Sequence, residues 1–149
     1  MIKANQVDGP KSNTMLPPQI RVLRLIIGVQ LYRLAGLSLL AYSSQLPSAF
    51  LIPTVVGDSL TAVFAPVIAI GISGKRGPRT WAAALVWNVL GMVDLFYALT
   101  IGQLTTAGSF VLANDPGVAL GAIVGIILHV TSIGLLLRKT NVSYLIGSG

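Results

Sequence analysis

Four long apolar stretches constrain the fold of this chain more than any other feature of its sequence. They cover residues 20–42, 49–72, 80–103 and 116–138. A helix rises about 1.5 Å per residue, so roughly 20 residues cross a hydrocarbon core of about 30 Å. Each stretch is long enough to cross, and none alternates apolar with polar residues as membrane β-strands do. The sequence therefore predicts an all-α bundle of four transmembrane helices, spans 1 to 4.

The composition agrees with a chain that lies in lipid. Hydrophobic residues make up 54% of the 149 residues and charged residues only 9%, whereas a soluble domain carries about 25% charged residues. The net charge of +6 does not predict a nucleic-acid partner, because the basic residues cluster at the ends of the apolar stretches. The expected partner is the lipid bilayer, and the expected location is the cytoplasmic membrane of a prokaryote.

The basic residues also predict the orientation. All but one flank the spans on one side of the bundle, and loops 43–48 and 104–115 carry none. The positive-inside rule then places both termini in the cytoplasm. We divide the chain into a cytoplasmic tail (1–18), a membrane domain (19–140) and a second cytoplasmic tail (141–149). The turn between spans 2 and 3 is expected to contact lipid headgroups through Lys75, Arg76 and Arg79.

Spans 1 and 3 share a pattern that suggests an internal repeat. Tyr32-Arg33 and Gly36 in span 1 correspond, at a constant offset, to Trp87-Asn88 and Gly91 in span 3. Spans 2 and 4 correspond more weakly, through Pro53 and Pro116 among others. Because both halves begin on the same side, this would be a parallel 2+2 repeat about an axis along the membrane normal. Chance similarity between apolar helices remains the alternative.

Five polar residues lie deep in the spans. Counted at 1.5 Å per residue from each span's centre, all fall within about 5 Å of the bilayer midplane: Arg33, Asp58, Asn88, Asp94 and His129. A lone charge there costs about 2.5–3.5 kcal/mol, so the charged groups should face inward and meet. We expect Arg33 to pair with Asp58, Asp94 or both. One Arg facing two acids leaves an excess negative charge, which a proton on one Asp or on His129 would balance.

This polar cluster has two interpretations. It is either a structural ion pair that locks the bundle, which the shortness of the chain favours, or a proton- or ion-coupled site. A water-accessible cavity beside the two acids would favour transport, and a dry, closed pair would favour structure.

Small and helix-breaking residues predict how the spans pack. Gly117, Gly121, Gly125 and His129 recur every four residues in span 4, and Gly28, Tyr32 and Gly36 do so in span 1. Such faces let helices approach closely, and Gly91 in span 3 is expected to act in the same way. Pro53 and Pro66 are expected to kink or break span 2 beside Asp58.

The residue inventory offers little to an enzyme. There is no Cys and only one His, so we expect no metal site, since metal sites need several such ligands. No phosphate-binding loop and no catalytic triad is present, so no catalytic residue and no cofactor is predicted.

The runs Leu31–Gly36, Gly57-Asp58 and Trp87–Leu95 resemble those of small uncharacterised bacterial membrane proteins with four predicted helices. The resemblance covers most of residues 20–138 and implies no activity. We expect a non-enzymatic protein that acts as a homo-oligomer or as an accessory subunit of a membrane complex. The alternative is a small-solute or proton-coupled transporter that uses the polar cluster. A third class is an intramembrane enzyme or cofactor carrier.

Overall fold

The computed structural model describes residues 16–74 and 77–146, and the regular structure in these residues is helical. The elements in chain order are α1 (Pro18–Val29), which continues as a 3-10 segment (Gln30–Tyr42), then α2 (Ser48–Gly74), α3 (Pro78–Leu104), α4 (Ala107–Asn114), α5 (Pro116–Leu137) and α6 (Lys139–Ile146).

Four helices are long and apolar enough to cross a membrane: Pro18–Tyr42, α2, α3 and α5. They correspond to spans 1 to 4, so the prediction of an all-α chain with four membrane-length helices is confirmed. Large apolar side chains stand exposed on every span, for example Leu25 at 67%, Ile70 at 66% and Leu90 at 62%. An exposed apolar band on each span is what lipid contact requires.

The spans form a ring of antiparallel neighbours. Span 1 packs on α2 and α5, and α3 packs on the same two helices from the other side. The bundle thus has two ends. The basic end holds the start of α1, the turn between α2 and α3, and α6. The α4 end holds α4 and the loop that follows Tyr42.

The helix starts follow from local sequence. Pro occupies the first turn of α1, α3 and α5, where its missing N–H has no intrahelical partner to lose. Asp115 caps α5 by accepting a hydrogen bond from the Val118 N–H. Gly77 precedes α3 with a φ of 147°, a backbone conformation that residues other than glycine rarely adopt. Its N–H donates to the Leu145 carbonyl at 2.6 Å and ties this turn to α6.

Span 1 changes its helical period near the middle. In α1 the buried residues are Ile20, Leu23 and Ile27, as expected for an α-helix with one buried face. In the 3-10 segment the buried residues are spaced every three: Gln30, Arg33, Gly36 and Leu39. Residues three apart eclipse one another in a 3-10 helix, so these four side chains form one line that faces the other spans. Arg33 points inward because of this change of period.

Span 2 is not broken by its prolines. α2 continues as an α-helix through Pro53 and Pro66 from Ser48 to Gly74. A proline cannot donate to the carbonyl four residues before it, and for Pro53 that carbonyl belongs to Ala49. The Tyr97 hydroxyl of α3 donates to this oxygen at 3.0 Å, which replaces the missing bond.

Two short helices lie outside the predicted spans. α4 lies in the loop between spans 3 and 4, and α6 lies within the segments that we interpreted as the end of the membrane domain and the second tail. α6 packs against the basic end, where Leu145 is fully buried. The Asn141 amide donates to the Leu135 carbonyl at 2.8 Å, which satisfies a carbonyl at the end of α5.

The buried apolar residues form two clusters, one toward each end of the bundle. The basic-end core consists of Ile20, Leu23, Ile27, Ala65, Ala69, Ile72, Ala84, Trp87, Leu136 and Leu145. The α4-end cluster consists of Leu39, Leu46, Phe50, Leu51, Val55, Ala98, Ala107 and Val111. The five polar residues predicted from depth lie between these clusters in the chain.

Candidate functional site

The structure brings all five of those residues together, through contacts that join every span. Arg33 comes from the 3-10 segment, Asp58 from α2, Asn88 and Asp94 from α3, and His129 from α5. Arg33 is 3% exposed, and Asn88 and His129 are 0% exposed. We refer to these five residues as the polar cluster.

Arg33 is the centre of the polar cluster. Its Nε donates to Asp58 Oδ1 at 2.7 Å, and its Nη2 lies 2.6 Å from the same oxygen. Nη2 also donates to Asp94 Oδ2. The two carboxylates and one guanidinium carry a formal charge of −1. Planar arginine suits such a double pairing because its donors are fixed in a fork.

His129 extends the polar cluster toward the basic end. Arg33 Nη1 lies 3.4 Å from His129 Nε2, and an arginine can only donate, so Nε2 accepts. The proton of a neutral ring then lies on Nδ1, which donates to Asn88 Oδ1 at 3.0 Å. The Asn88 amide in turn donates to the Ala84 carbonyl at 2.8 Å. A continuous chain of hydrogen bonds therefore runs from the acids to the wall of the basic-end core.

Three glycines leave room for the side chains of the polar cluster. A Cβ added at Gly36 would overlap Asp58 Oδ2, and one added at Gly57 would overlap the Asp94 carboxylate. A Cβ added at Gly91 would overlap the His129 ring and would lie 3.3 Å from Arg33 Nη1. Each glycine thus leaves space for a polar group from a neighbouring helix. These glycines therefore accommodate the polar cluster and also allow the helices to pack closely.

The glycine row of α5 receives Tyr32. A Cβ at Gly121 would lie 3.2 Å from Tyr32 Cε2, and one at Gly125 would lie 2.9 Å from the Tyr32 hydroxyl. That hydroxyl donates to the Gly121 carbonyl at 2.5 Å. At the ends of the two predicted rows the contacts differ. A Cβ at Gly28 would meet nothing within 4 Å, and one at Gly117 would meet only Asp115 at 3.7 Å.

A cavity of about 230 Å³ lies on the α4 side of the polar cluster. Arg33 and Asp58 line it, together with Tyr32 and Thr54. Its other walls are largely apolar and include Leu39, Phe50, Leu95, Ala98 and Val111. The exposed residues Gln103 and Gly117 line it near the α4 end. It is smaller than the roughly 300–1,000 Å³ pockets that take drug-sized ligands, so a small molecule fits it.

Three buried polar residues that the sequence did not single out lie close to the cluster in the chain. Both amide atoms of Gln30, the Thr54 hydroxyl and the Ser132 hydroxyl have no hydrogen-bond partner among the described residues. Gln30 and Ser132 lie three residues from Arg33 and His129 toward the basic end, and Thr54 lies four residues from Asp58 toward the α4 end. Buried polar groups of this kind need a bound water or ligand.

The remaining predicted contacts lie at the basic end. Arg79 is exposed in the first turn of α3, whereas Lys75 and Arg76 lie outside the described residues. Within residues 16–74 and 77–146, no group of three His, Cys, Asp or Glu side chains is placed to hold a metal ion. Arg33 stands between the two acids and the imidazole, where an ion would have to bind.

The four spans and the polar cluster define the chain as a multi-pass α-helical membrane protein with an arginine–aspartate cluster buried between its helices. The chain belongs to the family described as Domain of unknown function (DUF8737), whose model matches residues 10–138. The match includes every member of the polar cluster. No curated protein and no solved structure matches the chain.

Proposed function

We propose that this membrane protein is a small-solute carrier coupled to protons, with the polar cluster as its binding and proton site. The observation that supports this function is the cavity, which extends from the α4 end to Arg33 and Asp58. A structural ion pair alone needs no cavity beside it, and an unfilled space in a bundle lowers stability. The transport interpretation of the polar cluster therefore takes precedence over the structural one.

Access to the polar cluster differs between the two ends of the bundle. On the basic side of the cluster, five large aliphatic side chains of the basic-end core are fully buried: Ile20, Leu23, Ile27, Ile72 and Leu136. Above it, exposed Gln103 and Gly117 line the cavity. Lipid-exposed Leu120 and Ile123 line it as well. A carrier exposes its site to one side of the membrane at a time, and we propose that this cavity is reached from the α4 end.

The charge of the polar cluster supports coupling to a proton or a cation. Its formal charge of −1 arises from one arginine between Asp58 and Asp94. Ionisable groups inside membrane proteins commonly form proton relays. The hydrogen bonds from Arg33 to His129 and Asn88 extend the polar cluster toward the basic end, and His129 is the member of this chain that can take up and release a proton. The 3-10 segment that carries Arg33 supports a change of state, because such segments within a helix often mark hinges.

Cysteine labelling tests the one-sided access directly. The chain contains no Cys, so Thr54→Cys and Ser132→Cys are matched single-cysteine variants. Both replace a buried hydroxyl, one lining the cavity and the other on the basic side of the cluster. In proteoliposomes, a membrane-impermeant charged thiosulfonate should modify Thr54→Cys much faster than Ser132→Cys. Equal rates, or no reaction at position 54, would contradict the proposal.

Proton flux tests the coupling. Proteoliposomes with a trapped pH dye and an imposed pH gradient should show proton entry above that of empty liposomes. Asp58→Asn and Asp94→Asn should each abolish it, whereas Asp115→Asn, at the N-cap of α5 and outside the cluster, should not. Flux that is equal in all four proteins and in empty liposomes would contradict a proton pathway through the polar cluster.

We propose that the basic end faces the cytoplasm of a prokaryotic cell. Arg21, Arg24, Arg79, Arg138 and Lys139 lie at this end, and cytoplasmic loops are enriched in Lys and Arg. The cavity would then open away from the cytoplasm. A reporter fused after residue 149 that fluoresces only in the cytoplasm should be fluorescent, and a dark fusion with normal membrane insertion would reverse this orientation.

A second candidate function is that of a subunit in a homo-oligomer or a larger membrane complex. The observation that favours it is the open space at Gly28 and Gly134, where an added Cβ would meet nothing within 4 Å. Such positions let a neighbouring helix approach closely. Native mass spectrometry of the protein extracted gently from its own membrane separates the two functions. A stoichiometric set of other subunits would favour the complex, and recovery alone would favour the carrier.

A further inference from the structure

The hydrogen-bonding character of the cavity floor limits what can bind there. Each of the three guanidinium nitrogens of Arg33 faces a protein partner, in Asp58, Asp94 or His129. A ligand carboxylate or phosphate would therefore meet an arginine whose charge Asp58 and Asp94 already balance. Both contacts from Arg33 to Asp58 end on Oδ1, while Oδ2 lies against Gly36, which lines the cavity. The floor thus offers an acceptor oxygen that Arg33 does not use.

Thr54 adds a second polar group on the same wall. It lies one helical turn from Asp58 on α2, is 5% exposed and lines the cavity. Its hydroxyl has no partner among the described residues. Two other threonines of the spans bond to their own helix, Thr100 to the Phe96 carbonyl and Thr131 to the Ile127 carbonyl, each at 2.7 Å. The Thr54 hydroxyl thus has an unmet hydrogen bond at the wall of the cavity.

The negative formal charge of the polar cluster favours a cationic ligand. The polar cluster carries −1 with both acids ionised, and apolar walls screen the attraction between opposite charges less than bulk water does. A cationic hydrogen-bond donor on Asp58 would bring the site to neutrality. The apolar walls formed by Leu39, Phe50 and Val111 suit a hydrocarbon or aromatic body, and the volume limits that body to a small one.

We propose that the cavity binds a small apolar molecule that bears a protonated amine. This proposal rests on the carrier function proposed above. The ammonium group donates to Asp58 Oδ2 and to the Thr54 hydroxyl, and the apolar body fills the space toward Phe50 and Val111. The substrates of the carrier would then be amphipathic amines. The negative charge of the polar cluster could be neutralised either by such a cation or by a proton on one of the acids.

Three ligands with the same eight-carbon chain test the headgroup. Octylamine is cationic at pH 7, as a lysine side chain is, 1-octanol is neutral, and octanoate is anionic. Their affinities are measured by their effect on thermal unfolding of the purified protein in phosphatidylcholine nanodiscs, because a ligand that binds the folded state raises Tm. We expect the largest rise with octylamine, a smaller one with octanol and none with octanoate. An equal or larger rise with octanoate would overturn the proposal.

Variants connect that effect to the cavity floor. Asp58→Asn should weaken octylamine binding at least about tenfold, since it removes the charged partner, while octanol binding changes little. Asp115→Asn, which lies outside the cluster, should bind octylamine as the wild type does. Should Asp58→Asn fail to fold, Thr54→Val removes only the hydroxyl at nearly constant shape and should weaken octylamine binding by a smaller factor. Unchanged octylamine binding in the folded variants would contradict the proposal that Asp58 and Thr54 bind the ammonium group.

The same ammonium group occurs in free amines and in ethanolamine lipid headgroups. Nanodiscs that contain phosphatidylethanolamine distinguish the two sources, since octylamine binding should be unchanged for a free-amine site and weakened by competition for a lipid site. The cavity is too small for a lipid with two acyl chains, so we expect no competition. Competition by phosphatidylethanolamine would contradict the proposal that the substrate is a free amine.

The amine-binding proposal and the carrier proposal can be contradicted independently, because equilibrium binding tests the first and flux tests the second. Octylamine binding without any proton or amine flux would remove the carrier function and leave an amine-binding membrane protein. Proton flux that depends on Asp58, with no preference for octylamine over octanoate, would keep the carrier and remove the amine as its substrate.

Discussion

The same four spans pack densely at the basic end and leave a cavity at the α4 end. In the basic-end core, Leu23, Ile27 and Leu136 are fully buried and span 1 is an α-helix. In the α4 half, span 1 is a 3-10 helix, glycines face the polar side chains, and Leu39 and Phe50 line the cavity. The difference separates two tasks. In the carrier that we propose, the basic-end half would seal the bundle, and the α4 half would give access to the charged groups.

The polar cluster lies where the two halves meet. Its members contribute little to stability as ion pairs, because desolvation of buried charges offsets most of their attraction. Their interdependence is nevertheless strong, since removing one partner leaves the others buried and unpaired.

Loss of Arg33 should destabilise the protein more than loss of a basic residue at the basic end. We expect Arg33→Leu to lower the free energy of unfolding by about 3–5 kcal/mol, because Asp58 and Asp94 lose their shared cation. Arg24→Leu, at an exposed position, should change it by less than about 0.5 kcal/mol. Unfolding of the purified variants in detergent measures both.

A triple variant separates lost charge balance from lost packing. Arg33→Leu combined with Asp58→Asn and Asp94→Asn has no unpaired charge and should recover most of the stability. An unaffected melting curve for Arg33→Leu alone would contradict the buried ion pairs, and no recovery in the triple variant would assign the loss to packing.

Matched leucines test the difference in packing. Leu136 belongs to the basic-end core and Leu39 lines the cavity, and both are 0% exposed. We expect Leu136→Ala to cost about 4 kcal/mol and Leu39→Ala about 2 kcal/mol, because side chains around Leu39 have a neighbouring cavity into which they can relax, and the cost depends on how well the site can collapse. Chemical unfolding of both variants under one condition makes the comparison. Equal losses would mean that the α4 half is packed as densely as the basic end.

Glycine substitutions test the space around the polar groups. Gly57→Ala and Gly91→Ala should each cost about 1–3 kcal/mol through overpacking, since the added methyl groups would overlap Asp94 and His129. Gly28→Ala and Gly134→Ala have open space and should be neutral or stabilise by up to about 1 kcal/mol through helix propensity. Unfolding free energies check all four. A stable Gly91→Ala variant would be inconsistent with the position of His129.

Hydropathy and depth predicted much of this architecture from sequence alone. Apolar length is sufficient to identify the four membrane helices, because a hydrocarbon core demands it. Depth along a helix is also readable, since the rise per residue is constant. The direction in which a side chain points is harder to predict. An α-helical period places Gly28, Tyr32 and Gly36 on one face, whereas the 3-10 period aligns Gln30, Arg33 and Gly36.

The features that were missed carry weak sequence signals. Gln30, Arg33, Gly36 and Leu39 are the buried residues of the 3-10 segment, but they share no chemical property that would mark their three-residue spacing in the sequence. Thr54 and Ser132 could not be recognised, because hydroxyl residues in membrane helices usually bond to their own backbone, as Thr131 does to the Ile127 carbonyl. α4 and α6 are eight residues each, too short to appear as membrane spans. A cavity depends on how helices meet, which no single stretch encodes.

The smallest expected effect concerns the two prolines of α2. In the α4 half, the Tyr97 hydroxyl bonds to the Ala49 carbonyl that Pro53 leaves without its helical donor. We expect Tyr97→Phe to cost about 1 kcal/mol, the usual net value of one hydrogen bond. In a Pro53→Ala background the alanine N–H can donate to the same carbonyl, so the same substitution should cost less. A double-mutant cycle from four unfolding free energies isolates this coupling. Pro66→Ala, in the basic half, is the control background, where Tyr97→Phe should keep its full cost. Equal costs in all three backgrounds would mean that Tyr97 does not replace the bond that Pro53 removes.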